Sequence, residues 1–239
     1  MAERLAKRAD LAVVLSLAGR TTVPAPQPVP VRIGGFGGVQ GLANYLRDHK
    51  IEILVDVTHP YAAAISANAA IAAERTGIPL FALRRPAWTP VEGDRWIEAD
   101  DTADAVRKLG DASQRVFLAL GRKEIAPFEG APQHRYLVRS VEPIMPPLAV
   151  PHAAYVTGRG PFAEADERAL LERHRINVIV AKNSGGSASY GKIAAARALG
   201  LPVIMLRRPV LPDVNAVDTV EGAVIRLDHA LTLAIVRGV

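Results

Sequence analysis

The side chains best suited to bind a ligand are concentrated where predicted strands end. Thr58, His59 and Tyr61 bring three hydrogen-bonding groups to the end of the apolar strand predicted at residues 51–55, and Pro60 can start a helix there. Ligands of open α/β sheets bind outside the carboxyl ends of the strands, which favours a binding role. The alternative is that His59 and Tyr61 only cap and cover the following helix.

A polar, glycine-containing loop follows a second predicted strand. Residues 182–186 (KNSGG) interrupt the β-branched run at residues 176–180, and a helix is expected at residues 192–199. A loop that leaves a strand and enters a helix offers free backbone N–H groups to an anion. This segment therefore predicts an anion-binding site at the end of the strand.

Two further segments have the composition of a ligand-binding turn. Residues 34–38 place four glycines around Phe36, so a ligand can approach the backbone closely, although they do not match the GxGxxG pattern. The strand predicted at residues 11–17 leads into residues 19–21 (Gly-Arg-Thr), where a guanidinium could lie beside a ribose phosphate. A plain surface turn is the alternative for this second segment.

The elements that position these loops occur twice in the chain. Residues 51–86 and 176–209 both read as strand, loop, helix and strand, and each segment ends in Arg-Arg-Pro. The tripeptide His49-Lys50-Ile51 also aligns with His174-Arg175-Ile176. We interpret the similarity as an internal duplication of one α/β unit, and chance similarity between two generic βαβ units is the alternative.

The repeat predicts an α/β protein whose two halves contain parallel sheets flanked by helices. We expect an N-terminal, cofactor-binding domain over residues 1–121 and a second domain over residues 122–239. Residues 116–120 form an apolar run that we expect to be an edge strand close to this boundary.

Composition limits the classes of partner. The chain has 239 residues and a net charge of +5, which suits an anionic small molecule. Aromatic residues are only 5%, too few for a surface that stacks nucleic-acid bases, so no nucleic-acid partner is expected. Because cysteine is absent and the six histidines lack ligand spacing, no metal site is expected. Without a membrane-length apolar run or a visible signal peptide, we expect a cytoplasmic protein, taken as a monomer.

The beginning of the sequence differs from a usual dinucleotide-binding half, which opens with a strand, a glycine turn and a helix. Residues 1–8 read as the helix, and neither the strand nor the turn precedes them. We expect that a segment containing both belongs upstream, because a helix without its partner strand leaves a sheet edge bare. The alternative is a protein that lacks this segment.

Several short motifs run in order over nearly the whole chain: SLAGRT (16–21), RIGGFGG (32–38), DVTHPYA (56–62), RPAW (85–88), LALGR (118–122), GRGPF (158–162) and AKNSGG (181–186). Through them the chain resembles the precorrin-6A reductase family, the NADPH-dependent enzymes of cobalamin biosynthesis. The family has two Rossmann-like halves, with cofactor and tetrapyrrole between them. It normally opens with a strand and a Gly-Gly-Thr loop that takes part in dinucleotide binding, and this sequence lacks that loop.

The resemblance implies hydride transfer from NADPH to a carbon–carbon double bond of precorrin-6A, giving precorrin-6B. It implies cofactor binding, with Arg20 nearest the 2′-phosphate, by Ser16, Gly19, Arg20, Thr21, Gly34, Gly35, Phe36, Gly37, Gly38 and Thr58. It implies tetrapyrrole binding by Pro60, Arg122, Arg159, Gly160, Asn183, Ser184, Gly185 and Gly186. The reaction also needs a proton, for which the candidates are His59, Tyr61, Lys182, Lys192 or solvent.

Three alternatives stay open at this point. The first is a cobalt-precorrin-6A reductase of the anaerobic pathway. The second is a two-domain, nucleotide-dependent transferase, which would bind a nucleotide without oxidising NADPH. The third is a non-catalytic ligand-binding protein with two lobes, which would bind tetrapyrrole or nucleotide without turnover.

Overall fold

The computed structural model describes residues 1–19 and 24–237, with side chains up to residue 232. The helices are α1 (Ala2–Leu5), α2 (Gly38–Asp48), α3 (Ala63–Thr76), α4 (Thr102–Leu109), α5 (Glu164–Arg173), α6 (Gly191–Ala198) and α7 (Val220–Arg237), with one 3-10 helix at Ala126–Gly130. The strands are β1 (Leu15–Leu17), β2 (Val31–Ile33), β3 (Leu54–Asp56), β4 (Leu80–Leu83), β5 (Arg95–Ala99), β6 (Arg115–Ala119), β7 (Arg135–Ser140), β8 (Ala153–Thr157), β9 (Val178–Lys182), β10 (Pro202–Leu206) and β11 (Ala216–Val217). None of the described helices is both long and apolar enough to cross a membrane.

The chain forms two compact units, and one of them is discontinuous in sequence. The first unit contains Met1–Arg85 and Pro209–Val239, and the second contains Pro86–Arg208. This division differs from the boundary expected after residue 121, because β5 follows β4 in sequence but pairs with β10, while β11 follows β10 but pairs with β4. A single cut in the sequence cannot separate units that are connected in this way.

The second unit contains a parallel sheet of six strands in the order β5-β10-β9-β6-β7-β8. Phe117 on β6 pairs with Ile179 on β9 and with Leu137 on β7, and all three side chains are buried. Helices α5 and α6 contribute Leu171 and Ile193 to the same core. The prediction that residues 116–120 form an edge strand is therefore wrong, since β6 lies between two strands and is covered, as an apolar run without alternation requires.

The first unit contains a parallel sheet of three strands, β11-β4-β3, and a separate parallel pair, β1-β2. Its alanine-rich helix α3 packs closely on α2, where Ala69 and Ala72 join Leu42 and Leu46 in one buried cluster. Among the described residues no strand pairs with both β1 and β3, so the unit holds two sheets rather than one. The expectation of a further strand and glycine loop upstream stays a prediction.

The α/β fold with parallel sheets flanked by helices is confirmed. Around the aligned tripeptides the local structure also agrees, because the C-cap residues of α2 and α5 are both histidines, His49 and His174. Lys50 and Arg175, the residues that follow, both have a left-handed backbone with φ of 50° and 52°. The internal duplication itself stays a prediction from the sequence.

Candidate functional site

The motifs of the second unit meet at one edge of its sheet. Because all six strands are parallel, the loops that follow β6, β8, β9 and β10 leave from the same, carboxyl edge. These loops contain Arg122, residues 158–162, residues 183–190 and Arg208. We call residues 183–190, between β9 and α6, the glycine loop of the second unit.

Trp88 joins the RPAW segment to this glycine loop. Its backbone N–H donates to Asn183 Oδ1 at 2.8 Å, and Asn183 Nδ2 donates back to the Trp88 carbonyl at 2.8 Å. The indole Nε1 of Trp88 donates to the Gly186 carbonyl at 2.9 Å. Two motifs that are about a hundred residues apart in sequence are therefore bonded to each other.

Gly185 lies where the backbone of the glycine loop passes closest to its neighbours. Its φ is +66°, and a Cβ at this position would lie 2.1 Å from the Pro86 carbonyl oxygen and 2.6 Å from Arg208 Nη2. Arg208 donates from Nε to the Asn183 carbonyl at 2.8 Å and from Nη2 to the Pro86 carbonyl at 3.1 Å. The left-handed backbone and the close contact both require glycine at residue 185.

The GRGPF segment contacts the other end of the same loop. The Phe162 N–H donates to the Ala188 carbonyl at 3.0 Å, and a Cβ on Gly160 would lie 2.9 Å from that oxygen. Gly191, which opens α6, approaches the Phe162 carbonyl so closely that its Cβ would lie 2.4 Å away. Arg159 is exposed beside these contacts.

Lys182, a predicted proton donor, is held by a carboxylate. Its Nζ donates to Glu124 Oε1 at 2.5 Å, and the two side chains are 15% and 34% exposed. Gly121 makes room for this carboxylate, since a Cβ there would lie 2.3 Å from Glu124 Oε2. Arg122, the next residue, is exposed. The ion pair therefore fixes the ammonium group of Lys182 between the ends of β6 and β9.

The turn after β1 and the loop after β2 are adjacent in the first unit. The Gly34 N–H donates to the Leu17 carbonyl at 2.9 Å, and a Cβ on Gly19 would lie 3.4 Å from the Gly34 Cα. Ser16 is exposed on β1 and pairs with Arg32 on β2. Two of the residues expected to bind the cofactor, Arg20 and Thr21, lie outside the described residues.

Arg32 shapes the loop at residues 34–38, and the sequence analysis did not identify it as a site residue. Its Nη1 and Nη2 donate to the carbonyls of Gly34 and Gly35 at 2.6 Å and 2.8 Å. The guanidinium carbon also lies 3.8 Å from the centroid of the Phe36 ring. The sequence signal for this role is a cation placed two residues before a glycine-rich segment.

The same loop has open space beside it. A Cβ built on any of its glycines, Gly34, Gly35, Gly37 or Gly38, would meet no atom of the described residues within 4 Å. Helix α2 begins at Gly38 with Gly37 as its left-handed N-cap, so backbone N–H groups of the first turn have no partner inside the helix. An anionic group of a nucleotide fits such a position.

The Thr58–His59–Tyr61 group makes local contacts. The Thr58 N–H donates to Asp56 Oδ1 at 3.0 Å, and its hydroxyl lies 3.0 Å from the hydroxyl of Ser66 on α3. The Tyr61 N–H donates to His59 Nδ1 at 3.3 Å, and the two rings are 5.6 Å apart between centroids. His59 is exposed, whereas Pro60 between them is buried. The N-cap of α3, Ala62, has no side-chain cap hydrogen bond, so the capping interpretation is not supported. A ligand role for these residues stays a prediction.

The structure thus places the sequence-predicted residues in two groups. The group in the first unit is formed by Ser16, Gly19, Gly34, Gly35, Phe36, Gly37, Gly38, Thr58, His59, Pro60 and Tyr61. The group in the second unit is formed by Arg122, Arg159, Gly160, Lys182, Asn183, Ser184, Gly185 and Gly186. In the described part of the chain, histidine and acidic side chains form no group that could hold a metal ion.

Comparison with known proteins identifies the family of the chain. Residues 1–228 match the family described as "Precorrin-6x reductase CbiJ/CobK". A precorrin-6A reductase of Sinorhizobium sp. is 56% identical over 98% of this chain and 90% of its own length. The precorrin-6A reductase of Rhodobacter capsulatus is 47% identical over 97% of this chain and 94% of its own length. The solved structure of "CobK precorrin-6A reductase" superimposes with a TM-score of 0.90 and 46% identity, covering 95% of this chain and 92% of that one. The chain therefore belongs to the precorrin-6x reductase family, as the motifs predicted.

Proposed function

We propose that this protein is a precorrin-6A reductase, an oxidoreductase that reduces a carbon–carbon double bond of a tetrapyrrole on the route to cobalamin. The observation that carries the proposal is the identity of 56% to a precorrin-6A reductase over nearly the whole chain. The relatives at 56% and 47% identity are named for the metal-free substrate, which favours it over the cobalt-containing one.

The loop at residues 34–38 is our proposed site for the cofactor, which we take to be NADPH. When bound, NADPH supplies the hydride. Support comes from the open space beside the loop glycines and from the first-turn N–H groups of α2, which suit a phosphate. Arg32 keeps the loop open by bonding two of its carbonyls. The preference for a 2′-phosphate rests on Arg20, which lies outside the described residues.

The glycine loop of the second unit is our proposed site for the tetrapyrrole. Precorrins carry many carboxylates, and charge-assisted bonds from cations and backbone N–H groups bind carboxylates well. Arg122 and Arg159 are exposed at the carboxyl edge of the sheet, beside this loop. Trp88, Gly185 and Arg208 hold the backbone of the loop in one conformation, so it is organised before a substrate binds.

The proton that accompanies the hydride has three proposed donors, His59, Tyr61 and Lys182. Lys182 is the candidate whose side chain is held by an ion pair, through Nζ to Glu124 Oε1. The His59 ring accepts the Tyr61 N–H at Nδ1, so its neutral form carries the proton on Nε2. Hydride on one carbon and a proton on its neighbour complete the reduction of the double bond.

The test is turnover of precorrin-6A by the purified protein with NADPH, and with NADH for comparison. We expect loss of the reduced-nicotinamide absorbance together with formation of precorrin-6B, identified by mass. The proposal is overturned if neither NADPH nor NADH is oxidised. A nucleotide-dependent transferase or a non-catalytic binding protein would then be the remaining alternatives, and calorimetry with NADPH and with precorrin-6A would show which of these ligands the protein binds.

A matched pair of variants locates the cofactor site. Gly35→Val places a side chain in the open space beside the loop, so NADPH binding should be lost while the fold is retained. Gly130→Val also enters open space, but in the second unit, and should bind NADPH normally. If both variants bind NADPH equally well, the loop at residues 34–38 is not the cofactor site. The same titration on a chain extended upstream tests whether the expected strand and turn contribute to binding.

A further inference from the structure

A lysine is buried behind the glycine loop of the second unit. Lys192 lies in the first turn of α6 and is only 3% exposed. Its Nζ donates to the Ser189 carbonyl at 2.6 Å and lies 5.1 Å from the centroid of the Trp88 ring. A buried ammonium group is costly unless it is bonded, and an aromatic face within about 6 Å also attracts it. Both partners of this ammonium belong to the contact between the RPAW segment and the loop.

The charged groups that face Lys192 come from two other elements. Arg139 on β7 and Glu167 on α5 form a buried ion pair, with side chains 9% and 3% exposed. Glu167 Oε2 has no hydrogen-bond partner among the described residues. Burial, followed by repulsion from Arg139, lowers the pKa of Lys192 to about 8, and attraction by Glu167 opposes this change.

The position of Lys192 connects both ends of the loop. Trp88 bonds Asn183 at the start of the loop and Gly186 in its middle. Ser189, near the end of the loop, bonds to the ammonium group that lies over the same indole. A change at this ammonium therefore acts on the whole loop rather than on one residue.

We propose that Lys192 is a positioning residue, whose ammonium group holds residues 183–190 in their ligand-binding conformation by bonding Ser189 and lying over Trp88. The identity of the ligand, a tetrapyrrole, rests on the proposed function, whereas the positioning does not. A neutral amine keeps a weaker hydrogen bond and loses the attraction to the ring. The loop loosens when the proton leaves.

The fluorescence emission of Trp88 can report the loss of the proton from Lys192. The chain has two tryptophans, and Trp96→Phe leaves Trp88 as the single emitter. The substitution should be tolerated, because the buried Trp96 Nε1 has no hydrogen-bond partner among the described residues. We expect the Trp88 emission of the Trp96→Phe protein to change with pH, with a midpoint at about 8. Adding Lys192→Met should abolish this transition.

An emission that stays flat from about pH 7 up to the highest pH at which the protein stays folded overturns the proposal, because the ammonium must lose its proton within that range. The same transition in the Lys192→Met protein also overturns it. The flat result needs only the Trp96→Phe protein, so the proposal is testable even if Lys192→Met does not fold. Precorrin-6A turnover gives the second readout. KM should rise about tenfold above the midpoint with little change in kcat, as expected when one hydrogen bond to a charged group is lost.

The two hypotheses fail in different ways. If the Trp88 emission changes with pH as expected but no turnover occurs at any pH, the positioning role stands and the proposed function fails. If turnover occurs but neither the emission nor KM changes at any pH at which the protein stays folded, the function stands and the positioning role fails.

Discussion

Replacing Gly185 by alanine separates the effect of backbone conformation from the effect of a close contact. Gly185 and Gly200 have nearly the same left-handed φ, +66° and +64°. Alanine at either position pays about 1–2 kcal/mol for that conformation. Only at residue 185 does the new Cβ meet other atoms, 2.1 Å from the Pro86 oxygen and 2.6 Å from Arg208 Nη2. Gly200→Ala, whose Cβ meets no described atom within 4 Å, is therefore the matched control.

The difference between the two variants follows from the bonds of Arg208. To admit the Cβ, the Pro86 backbone oxygen must move, and so must Arg208 Nη2. These shifts weaken the hydrogen bonds of the guanidinium to the Asn183 and Pro86 carbonyls, at 2.8 Å and 3.1 Å. A hydrogen bond to a charged group contributes about 1.5–3 kcal/mol, and less when it is exposed. Because the second of these bonds is exposed, we expect Gly185→Ala to lose about 2–3 kcal/mol more than Gly200→Ala.

Urea unfolding followed by tryptophan emission measures this difference. Both tryptophans, Trp88 and Trp96, belong to the second unit, which also contains the two glycines, so the signal reports on the relevant unit. We expect a clearly lower urea midpoint for Gly185→Ala than for Gly200→Ala, with a raised KM for precorrin-6A. Equal midpoints for the two variants would refute the contact between Gly185 and Pro86.

Three further substitutions test other parts of the structure. Arg32→Gln should weaken NADPH binding about tenfold by calorimetry, because the loop at residues 34–38 loses its bonds to the guanidinium. Burial lowers the pKa of His134 below 6.5, so the unfolded state binds its proton first and stability falls as the pH drops through that value. In His134→Asn the urea midpoint should depend less on pH in this range. Asp101→Ala should lower the free energy of unfolding by about 1 kcal/mol, because Asp101 Oδ1 caps α4 by accepting the Asp104 N–H at 2.7 Å. Asp101→Ser should retain most of this stability, since serine can also cap the helix.

Local patterns in the sequence determined which segments become strands and which loops follow them. The run at residues 11–17 was predicted as a strand and contains β1, and the β-branched run at residues 176–180 lies largely within β9. Glycines after these strands were expected to form ligand-binding turns. Such predictions succeed because φ preferences and apolar runs act over a few residues and depend little on distant partners. The ordered motifs also indicated the family, since they extend over nearly the whole chain.

The tertiary structure alone decided which strands pair and which side chains support the loops. The run at residues 116–120 looked like an edge strand but lies inside the sheet, and the charged segment of β5 was not predicted as a strand. The division into units followed from the partners of β5 and β11 rather than from position in the sequence. The bonds of Trp88 to residues 183 and 186 span 95 and 98 positions. No local pattern encodes such partners, because burial and pairing over these distances depend on how the whole chain packs.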